Sequence, residues 1–190
     1  MDSVEVGPYE ALLYTWGDGR KNEMLTLNGC TVIVSTNMHA ALQHLRRAEE
    51  SWVIWVNALC INQADGRERN HQVKQLGDIY RNATRVIAWL GKDYDDAGCV
   101  MALIQSHSIS SNVILVYLLQ ESIVSAQAIT LFFDRAYRTR VWIIQEVFLA
   151  RDVMLQIGNH TAIWDCFERF VRAINNSRII LRKDEIQSLF

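Results

Sequence analysis

The chain has 190 residues, with 19 Lys and Arg against 21 Asp and Glu, a formal net charge of −2 at pH 7. That length suits one sizeable domain, and a composition 50% hydrophobic and 21% charged is the balance of a globular fold rather than a disordered chain. The lack of any basic tract argues against nucleic acid as a partner, and the longest apolar stretch, Val113 to Leu119, falls far below the roughly 20 residues of a membrane-spanning helix.

The N-terminus carries Asp2 and Glu5 and no apolar segment, so no signal peptide is expected and the cytosol is the default compartment. A first short buried strand is expected over 11–15. The Trp16-Gly17-Asp18-Gly19 turn stops it, because glycine supplies backbone angles that other residues resist. Met24 to Leu27 and Thr31 to Ser35 flank Asn28-Gly29, the pair that a type I′ hairpin turn favours. Thr36 or Asn37 is expected to cap the next helix. Its apolar stripe is Met38, Ala41, Leu42 and Leu45, at i, i+3, i+4 and i+7.

Trp52 to Ile61 is an apolar run broken only by Asn57 and reads as a central strand buried on both faces. Asp65 then caps a helix with Glu68 in its first turn and Val73, Leu76 and Tyr80 on its buried side. Another buried strand runs from Thr84 to Leu90 and ends at Gly91. Residues 95–132 read as two or three short helices, a variable helical insertion. Arg138 to Ala150 reads as a helix, Val153 to Ile157 as a last short strand closed by Gly158-Asn159, and Trp164 to Ile174 as a final helix. Strands alternating with helices imply a single α/β domain over 1–190: a mostly parallel, flavodoxin-like sheet flanked by helices, with a β-hairpin near the N-terminus.

Several residues have both a chemical and a structural reading. Asn62, Gln63 and Asp65 follow directly on a strand, where α/β sheets bind ligands, but they also suit a turn and a cap. Trp16, beyond the first strand, can stack on a flat ligand or plug the end of the core. Trp142 and Glu146 are i, i+4 on one helix. Glu146 sits among Ile143, Ile144, Val147 and Phe148, which points either to a partly desolvated acid–base group or to a solvated face or an ion pair with an arginine such as Arg140.

Other chemistries find little support. No G-x-x-x-x-G-K-[ST] or G-x-G-x-x-G loop is present. The histidines have no metal-ligand spacing. Asp93, Asp95 and Asp96 read as a capping cluster rather than a metal site. Cys30, Cys60, Cys99 and Cys166 form no C-x-x-C pair, so reduced and mostly buried thiols are expected. A thiol hydrolase built on Cys60 with His71 or His160 is set against the plainer reading of a buried strand-end cysteine.

In order along the chain, Tyr9 to Asp18, Asn28-Gly29, Val56 to Gln63 with Glu68-Arg69 and Gln72, Ile79-Tyr80, Ala83, Trp89-Leu90-Gly91, and Arg140 to Glu146 with Leu149-Ala150 resemble the fungal heterokaryon incompatibility (HET) domain. Leu13 stands where that family usually has serine, and Asn57 where it usually has aspartate. The resemblance implies a cell-death effector in nonself recognition, often the N-terminal part of a larger receptor. It also implies a remote likeness to TIR domains, some of which cleave NAD with a glutamate in a W-x-x-x-E-like setting. Trp142 to Glu146 is similar to that setting. By that analogy Glu146 is the catalytic candidate. Trp16, Gly17, Asp18, Asn62, Gln63 and Trp142 would bind NAD as substrate, with no permanently bound cofactor and no metal. The alternative is a non-enzymatic module that associates with like domains, through surfaces such as 113–119, or with a nonself-recognition receptor, and recruits a killing partner.

Overall fold

The computed structural model describes residues 7–17, 21–47, 49–106, 125–134 and 147–176. The chain opens with β1 (Glu10–Tyr14), the hairpin strands β2 (Lys21–Leu27) and β3 (Cys30–Ser35), and α1 (Thr36–Leu45). It continues through β4 (Ile54–Val56), α2 (Asn57–Cys60), α3 (Gly66–Asn82), β5 (Arg85–Trp89) and α4 (Ala97–Gln105). Helix α5 (Ala126–Asp134), strands β6 (Val153–Ile157) and β7 (His160–Ile163), and α6 (Trp164–Asn176) complete it.

The main sheet has the order β4-β1-β5-β6-β7. The first four strands are parallel, and β7 returns antiparallel to β6. From β1 the chain winds outward to β4 and then crosses to the other side as β5. The winding direction therefore reverses between β1 and β5, as in a doubly wound, flavodoxin-like sheet. These two central strands are almost wholly buried, since both of their faces are covered. Their side chains alternate between two cores. Ala11, Leu13, Val86 and Ala88 face the larger, filled by α4, α5, α6 and Tyr80 of α3. Leu12, Tyr14, Ile87 and Trp89 face the smaller, closed by Met38, Ala41 and Leu45 of α1 and by Val34 of the hairpin.

The hairpin forms as its turn demands. Leu27 pairs with Cys30, and Asn28 and Gly29 take φ of 50° and 79°, both left-handed as a type I′ turn requires. Asp65 caps α3, its Oδ1 accepting from the Arg67 and Glu68 amides at 2.8 and 3.2 Å.

Five expectations need correction. The run 52–61 is not a central strand: only 54–56 form β4, at the sheet edge, and Asn57 starts a four-residue helix. The run is apolar because the chain keeps touching core in both forms. Trp55 packs edge-on against Tyr80, centroids 5.7 Å apart, while Ala58 and Leu59 lie against the smaller core. Periodicity cannot separate a short buried strand from a buried helical turn. Val73 is 54% exposed, and the buried side of α3 rests instead on Leu76 and Tyr80, with Ala83 at its C-cap. The cap of α1 is Ser35, whose Oγ accepts from the Met38 amide at 3.3 Å, not Thr36 or Asn37. β6 is not the last strand, because Gly158-Asn159 is the turn of a second hairpin leading into β7. Finally, Cys30, Cys60 and Cys99 are exposed and only Cys166 is buried, all four as free thiols; Cys60 lies at the end of α2, not of a strand. Among the described residues no helix is long and apolar enough to cross a membrane. The stretch 113–119 lies outside the described residues, as does most of the expected helix over 138–150, of which 147–149 are helical.

Candidate functional cleft at the strand ends

At the carboxyl ends of β1 and β5, where the winding reverses, lies a cleft of about 420 Å³. One wall is the segment after β1, Thr15 to Gly17; the other is the segment after β5, Leu90 to Lys92, followed by Tyr94 and Asp95; the start of α1, Ser35 to Asn37, closes it. Open α/β sheets form their ligand crevice at this point because adjacent connections leave on opposite faces. Both walls turn sharply at glycine: Gly17 has φ +70° and Gly91 φ +112°, conformations that a side chain resists.

Asn37, on the first turn of α1, joins the two strands. Its Nδ2 donates to the Thr15 carbonyl oxygen at 2.7 Å and lies 3.2 Å from Thr15 Oγ1. Its Oδ1 accepts from the indole N–H of Trp89 at 2.9 Å. Trp89, the last residue of β5, is fully buried, with its ring 5.1 Å from that of His44, one helix away on α1. Trp16 is half-buried against the smaller core and lines the cleft. The cleft thus offers an indole ring, glycine backbone at two turns, the electropositive start of a ten-residue helix, and the side chains of Lys92 and Asp95.

Of the sequence candidates, Trp16 and Gly17 line this cleft. Asn62 and Gln63 are not among its lining residues. Asn62 Oδ1 accepts from the Ala64 amide at 3.1 Å, and Gln63 Nε2 donates to the Asn57 carbonyl at 3.2 Å, the local bonds of a turn. Asp18, Trp142 and Glu146 lie outside the described residues. The residues directly after Glu146 pack on the larger core: Val147 is buried there, and Leu149 Cδ1 lies 3.2 Å from where a Cβ on Gly77 of α3 would stand. Asn57 keeps a buried Oδ1 with no hydrogen-bond partner, so it meets no donor where the resemblance places an aspartate.

Asn37, Lys92, Tyr94 and Asp95 were missed as site residues. Gly91 at a strand end was the available signal for the wall at 90–95. Nothing in the sequence marks Asn37 as more than a cap. Of the acids at 93–96 expected as a capping cluster, Asp93 takes that part, its Oδ1 accepting from the Gly98 amide at 2.8 Å, whereas the N-cap residue Asp96 makes no side-chain cap bond. Among the described residues no group of three or more His, Cys, Asp or Glu suits a metal ion. At the opposite end of the sheet, burial pushes the Tyr9 hydroxyl above its ordinary value of 10.0. There the hydrogen bond to Asp152, 2.7 Å long, raises the Arg85 guanidinium.

The sequence matches the family model "Heterokaryon incompatibility protein (HET)" over residues 9–146, which include both walls of the cleft. It is similar to "Heterokaryon incompatibility protein 6, OR allele" of Neurospora crassa, with 29% identity over 79% of this chain and 28% of that protein. The chain therefore spans little more than a quarter of the length of the curated relative it matches. No solved structure matches it. The match covers most of the chain, and the chain belongs to the heterokaryon incompatibility (HET) family.

Proposed function

We propose that this domain is a cytosolic cell-death effector of fungal nonself recognition and that it acts by hydrolysing NAD at the nicotinamide–ribose bond. The family match supports the first part. The cleft at the reversal of strand order supports the second, because doubly wound sheets bind nucleotides there. In this reading Trp16 stacks on one flat ring of the dinucleotide, and the diphosphate lies toward the start of α1 and Lys92. Glu146 is assigned by the TIR-like resemblance alone. It holds the ribose hydroxyls and stabilises the positive charge that develops at C1′ as nicotinamide leaves. The C1′–N bond breaks with its electron pair returning to the pyridine nitrogen. Water adds at C1′ and gives up a proton, leaving ADP-ribose.

The test is nicotinamide release from NAD by concentrated purified protein. Glu146→Gln is expected to lower turnover about 100-fold or more, the range seen when one charge-stabilising group is removed. Release that persists unchanged in this variant ends the catalytic assignment.

A second reading, a non-enzymatic module that assembles with like domains, draws on the outer face of the first hairpin. There Met24 and Ile33 are direct cross-strand partners, exposed by 74% and 56%. Toxicity in fungal cells that survives Glu146→Gln but is lost when both become Ser selects this reading.

A further inference from the structure

Cleft walls in a doubly wound sheet belong to different strands, and something must hold their spacing. β1 and β5 are hydrogen-bonded neighbours up to Tyr14 and Trp89. Beyond that pair the backbone ladder ends and the chains diverge into the turns at Gly17 and Gly91. One side chain spans the gap. The Asn37 amide has its NH₂ on the first residue beyond β1 and its oxygen on the last residue of β5. Its orientation is fixed, since a carbonyl oxygen can only accept and an indole N–H can only donate. The partner indole cannot shift freely either, being fully buried with the His44 ring 5.1 Å away.

We propose that Asn37 is the positioning residue of this cleft: it sets the place of the Thr15–Gly17 wall, and with it the Trp16 ring, relative to β5. The part of this inference that concerns ligand selection rests on the NAD reading; the structural part does not. Asn37 touches strand ends, so it acts on ligand through Thr15 and Trp16.

Asn37→Asp is a discriminating substitution because it keeps size, shape and the bond from Trp89. It replaces the N–H that meets the Thr15 carbonyl with an oxygen. A carboxylate there repels the carbonyl, whereas the protonated acid donates as the amide did. The Thr15 carbonyl opposes the charged form, while the Trp89 indole N–H and the start of α1 favour it, so the acid limb is followed down until the introduced acid is protonated. Its deficit is full at neutral pH and shrinks as the acid protonates. The Thr15 hydroxyl can turn to donate to the carboxylate, so the substitution is also made together with Thr15→Val. His44, Lys92, Tyr94 and Asp95 are ionisable side chains near the site in both proteins, so variant and unaltered protein are compared at each pH.

Hydrogen exchange is measured over residues 15–17 and at the Trp89 indole N–H, and NAD kinetics alongside. In Asn37→Asp, exchange over 15–17 is expected to rise about tenfold at neutral pH, the loss of one hydrogen bond, and to return toward the unaltered level on acidification. The KM for NAD is expected to rise about tenfold with a smaller change in kcat. Asn37→Ser, which keeps a helix-tolerant residue but cannot span both partners, should give the same exchange rise without acid rescue. Unchanged exchange in both variants overturns the proposal, as does a looseness in Asn37→Asp that acid does not repair. Raised, acid-repaired exchange in a protein that releases no nicotinamide upholds Asn37 as the positioning residue and rejects the NAD reading.

Discussion

Two cavities of about 420 Å³ share Tyr94 and Asp95 as a common wall, and they are built in opposite ways. The first, between the ends of β1 and β5, exists because the sheet changes winding direction. Its polar side chain Asn37 ties the Thr15 backbone to the Trp89 indole and leaves the Trp16 ring and two glycine turns as lining. The second lies between Asp93, the first turn of α4 and His160 of β7. Its polar groups are absorbed in shaping the loop. One oxygen of Asp93 caps the Gly98 amide, and the other lies 3.4 Å from His160 Nε2. Asp95 and Asp96 take left-handed φ of 57° and 60°, which aspartate tolerates better than most residues. A cluster of acids and a histidine is therefore the less promising site, and a modest amide marks the better one. Polar residues point to chemistry only after the bonds demanded by the fold have been subtracted.

The largest test of this contrast removes the buried indole that holds Asn37 beside the first cavity. Trp89→Ala is expected to cost about 3–5 kcal/mol, as for other fully buried aromatic residues, read as a lower urea midpoint. Trp89→Phe keeps an aromatic ring but deletes the bond to Asn37 and leaves a smaller void, so about 1–3 kcal/mol is expected. If the two substitutions cost the same, the indole N–H and not the ring carries the contact, and the smaller core is less tightly packed than the burial of Trp89 implies.

A smaller effect is expected on the other side of the shared wall. A Cβ on Gly98 would stand 2.6 Å from both Asp93 Oδ2 and His160 Nε2, closer than atoms tolerate. Gly98→Ala must therefore part that pair, at a cost of about 1–3 kcal/mol, read as a drop in the urea midpoint. Adding His160→Ala should recover part of the loss by making room. Nicotinamide release should change less than about twofold, since one exposed contact outside the cleft supplies at most a few tenths of a kcal/mol. A larger fall would show that Tyr94 and Asp95 couple the cavities, and the contrast would fail.

Much of the scaffold was legible in sequence, and the reasons are physical. Asn28-Gly29, the Asp65 cap and the strand at 84–90 carry local signals, because a left-handed turn, an unsatisfied helix end and a doubly buried strand each restrict the residues allowed. The break at Asn57 carried none: an apolar run records burial but not backbone angle. The strand β7 is harder to read because Gly158-Asn159 suits an ending as well as the two-residue turn of a hairpin, although Thr161, Ala162 and Ile163 follow it. Trp16 and Gly17 line the cleft because they follow the end of a strand. Asn37 is not legible in this way, because its role depends on which strands become neighbours, and strand order is a property of the whole sheet. Asn62 and Gln63 are expected directly beyond a strand, but α2 separates them from the end of β4. That strand is also the outermost one, away from the reversal, and their recorded bonds are those of a turn.

The smallest predicted effect concerns the edge of the sheet opposite the cleft. The Tyr9 hydroxyl donates to the Ile79 carbonyl at 2.7 Å, tying the start of β1 to the end of α3. Burial holds its pKa above the ordinary 10.0, so the folded state keeps this proton to higher pH than the unfolded chain does. The contribution is therefore complete below about pH 10 and declines as pH rises through the raised value. Tyr9→Phe should lower stability by about 0.5–1.5 kcal/mol at neutral pH, the net worth of one hydrogen bond, and should flatten the alkaline limb of the stability curve. Because this contact lies at the far ends of the strands, ligand binding at the cleft should not change. A variant that weakened nicotinamide release would place the chemistry on the wrong edge of the sheet, since the strand-end argument locates a site by direction as well as by strand order.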